Sequence, residues 1–350
     1  MPGAYVRSQP RRRTETRLPF PCEGEPRPDA EFWFADGNIV LIMDCTAFRV
    51  HQSVLSRHSD IFRDLFTIPQ PADTETMFGC PVVQIYDPLS DIRLLLRVLY
   101  DGGRHCLEHK PELEFAIVDV LVRLGHKYQV EDLRADGLAR IKRVFTDNFD
   151  MWDSHSRSGK MGTELLRLTR LDAMSAVNLA RIANAPSLLP VALYYCCQLD
   201  IYELCRGVPR ADGTTERLSS EDMDRCIDGM STLAQKCASG APLKLAWKYA
   251  RCTSYGRCVE IKRELLVKLQ GAEKRFDALA PMDDDIDWLC ATYGLCEECK
   301  QVMKTKHLKY RRRVFKELPS YFGLVEWAQL RAAEAASRVT DDSRCNFRTK

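Results

Sequence analysis

The hydrophobic period changes several times along the chain, and the changes outline its elements. Residues 38–43, N-I-V-L-I-M, are almost wholly apolar and β-branched, as a buried strand would be. Asp44 and Cys45 make a short turn, and residues 46–50 alternate as a second strand, so the pair reads as a hairpin. Residues 52–57 fit a short helix. Ser59 is placed to cap a second one, in which Ile61, Phe62, Leu65 and Phe66 recur at helical spacing. A polar loop over 69–79 leads to a third strand at 81–86, P-V-V-Q-I-Y. Asp87 and Pro88 turn the chain, and Ser90 is expected to cap a helix carrying Ile92, Leu95, Leu96 and Leu99, ended by Gly102 and Gly103. Pro111 suits the first position of a further helix, closed by Gly125, and 130–145 carries Leu133, Leu138, Ile141 and Phe145 on one stripe.

Beyond residue 150 the pattern is almost wholly helical. Helices are expected over 163–184, 188–205, from Ser219 onward, and over 242–251, 259–274, 283–293 and 300–318. The first 29 residues are interrupted by six prolines and have little apolar periodicity, so a disordered tail is expected there, and another over 336–350. The division that follows is a tail (1–29), an α+β domain (30–146), a helical region (147–335) and a second tail (336–350).

Composition changes this picture only in places. Of 350 residues, 45% are hydrophobic and 29% charged, as in ordinary globular chains. A formal net charge of +2 supplies no global field toward nucleic acid or anionic lipid. The longest apolar stretch, 188–197, is broken by Pro190 and too short to span a bilayer. The arginines at 11–13 are followed by no apolar segment of signal-peptide type, so a cytoplasmic or nuclear location without membrane attachment is expected. In that setting the fifteen cysteines are expected to be reduced thiols, most of them buried as small apolar groups.

The segment from Phe48 to Phe66, F-R-V-H-Q-S-V-L-S-R-H-S-D-I-F-R-D-L-F, resembles the core signature of BTB/POZ domains. Residues 124–133, L-G-H-K-Y-Q-V-E-D-L, are similar to a later segment of that family, and the order of elements matches too. The resemblance covers about a third of the chain. It implies a small sheet flanked by helices, and a role in protein–protein interaction without catalysis. The signature positions are Phe48, Val50, His51, Leu55, Ser59 and Phe62. Val50 and Leu55 are expected under the hairpin, and His51 is expected to donate to a backbone carbonyl. Where many members carry an aspartate before the first apolar strand, Asn38 stands here, two residues after Asp36. The segments 188–197 and 318–327 are similar to a large set of fungal BTB-domain proteins. The resemblance implies self-association, making a homodimer the expected state, or docking of another protein. By analogy it also suggests an adaptor of a cullin-type ubiquitin ligase.

Two features of the C-terminal half carry chemistry of their own. Cys296 and Cys299 form a C-x-x-C, and Cys252 and Cys258 lie upstream as C-x5-C. These four could supply the sulfurs of a tetrahedral zinc, with Cys290, His307 or Cys237 as substitutes. The alternative is a set of idle buried thiols. No βαβ context surrounds the C-x-x-C, which speaks against a thioredoxin-type redox pair.

The second feature is a basic segment: Lys300, Lys304, Lys306, His307, Lys309, Arg311, Arg312, Arg313 and Lys316 crowd together. Phosphate contact by a nucleic-acid-binding regulator is one reading. A solvated helix face with Leu308, Arg312, Phe315 and Leu318 turned inward is the favoured one. Phosphate-binding loops, dinucleotide fingerprints, nucleophile elbows and H-E-x-x-H are all missing from the sequence. Asp283, Asp284 and Asp285 suit a helix N-terminus.

Overall fold

In the computed structural model the run Ile39–Met43 becomes the centre of a five-stranded mixed sheet. The structure describes residues 25–69, 76–102, 112–157, 162–210, 213–239, 252–270 and 277–346. The chain divides into two compact units, residues 1–100 and 101–350.

The first unit holds β1 (Arg27–Trp33), β2 (Ile39–Met43), β3 (Thr46–Val50), β4 (Thr76–Met77) and β5 (Cys80–Gln84), in the order β1-β3-β2-β5-β4. The expected hairpin is β2 with β3, Ile39 opposite Val50 and Leu41 opposite Phe48. All five residues of β2 are buried, because β3 and β5 pair with its two edges and both faces are covered. The helices are α1 (Gln52–His58), α2 (Asp60–Thr67) and α3 (Leu89–Asp101). Order begins earlier than expected, since β1 starts at Arg27 and pairs in parallel with β3. Asp29 anchors it. Burial alone would raise its carboxyl pKa, but bonds from the Phe32 and Glu31 N–H groups and from Arg93 hold it below the ordinary value. Ser90 lies inside the first turn of α3 and donates to Asp91, so the helix starts one residue before the expected cap.

The second unit contains α4 (Phe115–Lys127), α5 (Glu131–Val144), α6 (Phe149–Arg157), α7 (Asp172–Ile182), α8 (Leu189–Cys196), α9 (Ile201–Arg206), α10 (Ser220–Ser239), α11 (Tyr255–Gln270), α12 (Asp283–Tyr293), α13 (Glu297–Tyr321) and α14 (Trp327–Asn346). The short strands are β6 (Leu113–Glu114), β7 (Gly162–Thr163), β8 (Leu166–Arg167), β9 (Val208–Pro209) and β10 (Thr215–Glu216). Helices α4 and α5 pack together, and α4 packs on α7. The compact division therefore falls at Tyr100, inside the segment 30–146 expected as one domain. At the α4–α5 contact Gly137 is essential to the close approach, since a Cβ there would stand 2.4 Å from Val122 Cγ2.

Four expectations are corrected in this unit. Helix α4 begins at Phe115, not at Pro111, and continues past Gly125 to Lys127. The helix expected over 163–184 starts only at Asp172, because residues 162–167 form β7 and β8, and β8 pairs with β6. The helix expected over 188–205 is split: Asp200 accepts from the Tyr202 N–H and Glu203 accepts from the Asp200 N–H, a capping box that starts α9. The tail expected over 336–350 is helical as far as Asn346, continuing the alanine-rich turn at 332–336 that favours helix. Residues 1–24 of the other tail, Pro111 and the helix expected over 242–251 lie outside the described residues.

Helix α13 contains Pro319, which has no N–H to offer the Phe315 carbonyl one turn back. The Trp327 indole Nε1 donates to that oxygen at 3.0 Å, and its ring stacks on Phe315 with centroids 5.4 Å apart. The first turn of α14 is fixed to α13 by this exchange of donors.

Candidate docking module and metal centre

The six signature residues gather at the junction of β3 with α1 and α2. Phe48, Val50 and Leu55 are fully buried and Phe62 almost so. Ser59 ends α1 and caps α2, its hydroxyl accepting from the Phe62 N–H at 3.1 Å. His51 differs from expectation, because its ring meets side chains and not a backbone carbonyl. The Tyr100 hydroxyl accepts from the His51 backbone N–H at 2.8 Å and lies 3.0 Å from Nδ1, while Nε2 is 3.3 Å from Asp36. With its oxygen already accepting, the Tyr100 hydroxyl can donate to Nδ1, which places the ring proton on Nε2 facing Asp36. Phe34 stacks on Tyr100 at 4.9 Å and lies 5.2 Å from His51. The cluster is a structural pin for the strand-to-helix turn.

Asn38, at the position where a family aspartate was noted, bonds within the same junction. Its Oδ1 accepts from the Gln52 N–H at 2.8 Å, at the start of α1. Large apolar side chains remain exposed on this unit: Ile61, Ile68, Phe78 and Tyr86, the last at 87%. The sequence pattern did not single out Phe78 or Tyr86. They follow from the β4–β5 hairpin and from the end of β5, which turn them outward.

In the second unit the sulfurs of Cys252, Cys258, Cys296 and Cys299 all lie within 4.8 Å of one another. Cys258 and Cys299 are buried, Cys252 and Cys296 half-buried. Cys252 Sγ and Cys296 Sγ are 3.8 Å apart, and the Cys296 N–H points to Cys258 Sγ at 3.5 Å. Cys296 is the N-cap of α13 and Cys299 lies in its first turn; Cys252 and Cys258 flank the start of α11 in the same way. The wide C-x5-C spacing closes because Cys252 sits before the helix and Cys258 one turn inside it. Burial raises the Cys258 thiol. Burial also opposes ionisation of Cys296, but bonds from Cys299 and Thr253 hold that thiol down to about 6. Cys290, Cys237 and His307 are not members of the cluster. His307 lies eight residues beyond Cys299 on α13, about 12 Å along the axis.

The basic segment is largely neutralised. Lys300 and Lys304 pair with Asp287 at 3.1 and 2.6 Å, Arg313 with Glu317 at 2.8 Å, and Arg312 with Asp150. Arg311 is fully buried against Asp153, and its Nε donates to the Leu279 carbonyl at 2.7 Å. The inward stripe is therefore Met303, His307, Tyr310, Arg311, Val314, Phe315 and Leu318, with Leu308 half-buried and, of the four residues expected inside, Arg312 exposed. No helix among the described residues is long and apolar enough to cross a membrane.

Residues 36–137 match the family model for the BTB/POZ domain. A search of the curated proteins and one of the solved structures found no match. The matched segment takes in the β2–β3 hairpin, the signature turn around His51, and α4 with the first half of α5. The chain thus carries a BTB/POZ domain, a type of protein-interaction module, with a small mixed sheet flanked by helices, followed by a mostly α-helical C-terminal region.

Proposed function

We propose that the BTB segment is a non-catalytic docking surface whose first partner is a second copy of the same chain. The family match over residues 36–137 carries this reading. The exposed Ile61, Ile68, Phe78 and Tyr86 support it, because apolar groups left in water gain about 25 cal/mol per Å² when an interface covers them, before association costs. The signature histidine supports the non-catalytic part: Tyr100 and Asp36 occupy both of its ring nitrogens. Light scattering on the full chain at tens of micromolar tests self-association. Twice the chain mass is expected, and a monomer mass throughout that range refutes it.

Two other readings belong to the same test series. An adaptor of a cullin-type ubiquitin ligase rests on family analogy, and co-elution with a purified cullin N-terminal domain decides it. A nucleic-acid-binding regulator is disfavoured by the carboxylates paired with Lys300, Lys304, Arg311, Arg312 and Arg313. Salt-dependent binding of a duplex oligonucleotide would reinstate it.

A further inference from the structure

We propose that Cys252, Cys258, Cys296 and Cys299 bind one Zn²⁺ as a closed, structural four-sulfur site that ties the start of α11 to the start of α13. Geometry is the first support. Four thiolates around zinc at a Zn–S distance of about 2.3 Å stand about 3.8 Å apart on a tetrahedron. The separation of Cys252 and Cys296 is 3.8 Å, and no pair in the quartet exceeds 4.8 Å. Small side-chain rotations bring the set to a common centre.

Electrostatics is the second support. Four thiolates and one dication leave a net double negative charge. Both pairs sit at helix starts, where free N–H groups and the macrodipole favour negative charge. The Cys296 N–H aimed at Cys258 Sγ is the kind of outer contact that holds a ligating sulfur in place.

The third support is the setting of the sulfurs inside an apolar core. Among the described residues, the buried cysteines share the core of α11, α12 and α13 with Ile261, Met282, Ile286, Leu295 and Met303. A metal held in that core would staple its helices together, as structural zinc does in small domains. All four positions are protein sulfurs, so no coordination site is left for substrate, and the site is structural rather than catalytic.

The test uses the full chain, purified without chelator and analysed by elemental mass spectrometry. One zinc per chain is expected. After zinc is stripped under reducing conditions, Co²⁺ should restore one equivalent, with the intense visible bands and thiolate charge-transfer absorption of tetrahedral sulfur coordination. Cys296→Ser and Cys252→Ser should each lose the bound metal, whereas Cys290→Ser and Cys237→Ser should keep it. Should the first two variants fail to fold, the cobalt titration of the stripped wild-type chain still decides. Zinc below roughly a tenth of an equivalent with no cobalt bands, full zinc retained in Cys296→Ser, iron in place of zinc, or disulfides linking these cysteines in freshly reduced protein would each overturn the assignment.

Discussion

Replacing Asp153 by alanine separates two accounts of the buried arginine in α13. Arg311 has no exposed surface. Its guanidinium meets Asp153 at 2.5 Å, donates to the Leu279 carbonyl, and lies 5.7 and 5.6 Å from the centroids of Phe149 and Trp152. Burial pushes its pKa down and Asp153 counters that, but an arginine stays charged at any ordinary pH. Removing the carboxylate leaves that charge stranded, at a cost of about 3–5 kcal/mol. Arg157 also loses Asp153 as a partner but keeps Asp283 at 2.6 Å. Arg311→Met instead removes the charge and leaves an apolar chain of similar length; the Leu279 carbonyl loses a bond and Asp153 loses Arg311 but keeps Arg157 at 2.8 Å, so the cost is about 1–2 kcal/mol. With a urea slope near 3 kcal/mol per molar, Asp153→Ala should lower the midpoint of the helical unit by about 1 M or more, and Arg311→Met by about 0.3–0.7 M. The double variant should recover most of the Asp153→Ala loss. If Arg311→Met costs as much as Asp153→Ala and the two add, the buried pair is a net stabiliser and this reasoning is wrong.

Other outcomes follow from single contacts. Burial and the neighbouring Arg311 and Arg157 outweigh Asp283 and Asp153 and push His307 down to about 4. The unfolded chain, with an ordinary histidine value near 6.5, therefore takes up the proton first as pH falls. The stability due to neutral His307 is complete above about pH 6.5 and is lost progressively toward pH 4, by up to about 3 kcal/mol. Urea midpoints measured from pH 7 to 4 should flatten in His307→Gln, and an unchanged slope would count against the assignment. Gly137→Ala should cost about 1–3 kcal/mol, because the new methyl collides with Val122 on the facing helix; a gain in melting temperature would show that α4 and α5 can part freely. Ser59→Ala should cost about 1 kcal/mol by removing the cap of α2, and an unchanged melting temperature would show that the cap carries no stability.

The first unit was legible where pairing is local. The β2–β3 hairpin, the short helices and the Ser59 cap all follow from residues within a few positions of each other. Strand β1 was not legible, because R-P-D-A-E-F-W has no clean alternation and is held by Arg93 and Arg97, more than sixty residues away. The β7–β8 segment looked helical for a similar reason, since its strand character comes from pairing with Leu113 and Glu114. The break before α9 was visible as Asp200 and Glu203, three apart, but the apolar run around it masked the capping signal. The cysteine quartet was readable from spacing alone, because each pair needs only one helix start to align its sulfurs. Arg311 was not: in a run of three arginines the apolar stripe put Arg312 inside, and the carboxylate that admits Arg311 comes from α6.

Pro319 and Trp327 form a matched couple across a chain reversal. The proline takes a donor away from Phe315, and the indole returns it. Either residue alone is a liability: proline without tryptophan strands a carbonyl, and tryptophan without proline competes with a helical N–H for the same oxygen. Kindred sequences should therefore keep or lose the two together. Where both are gone, the last helix should dock at a different angle.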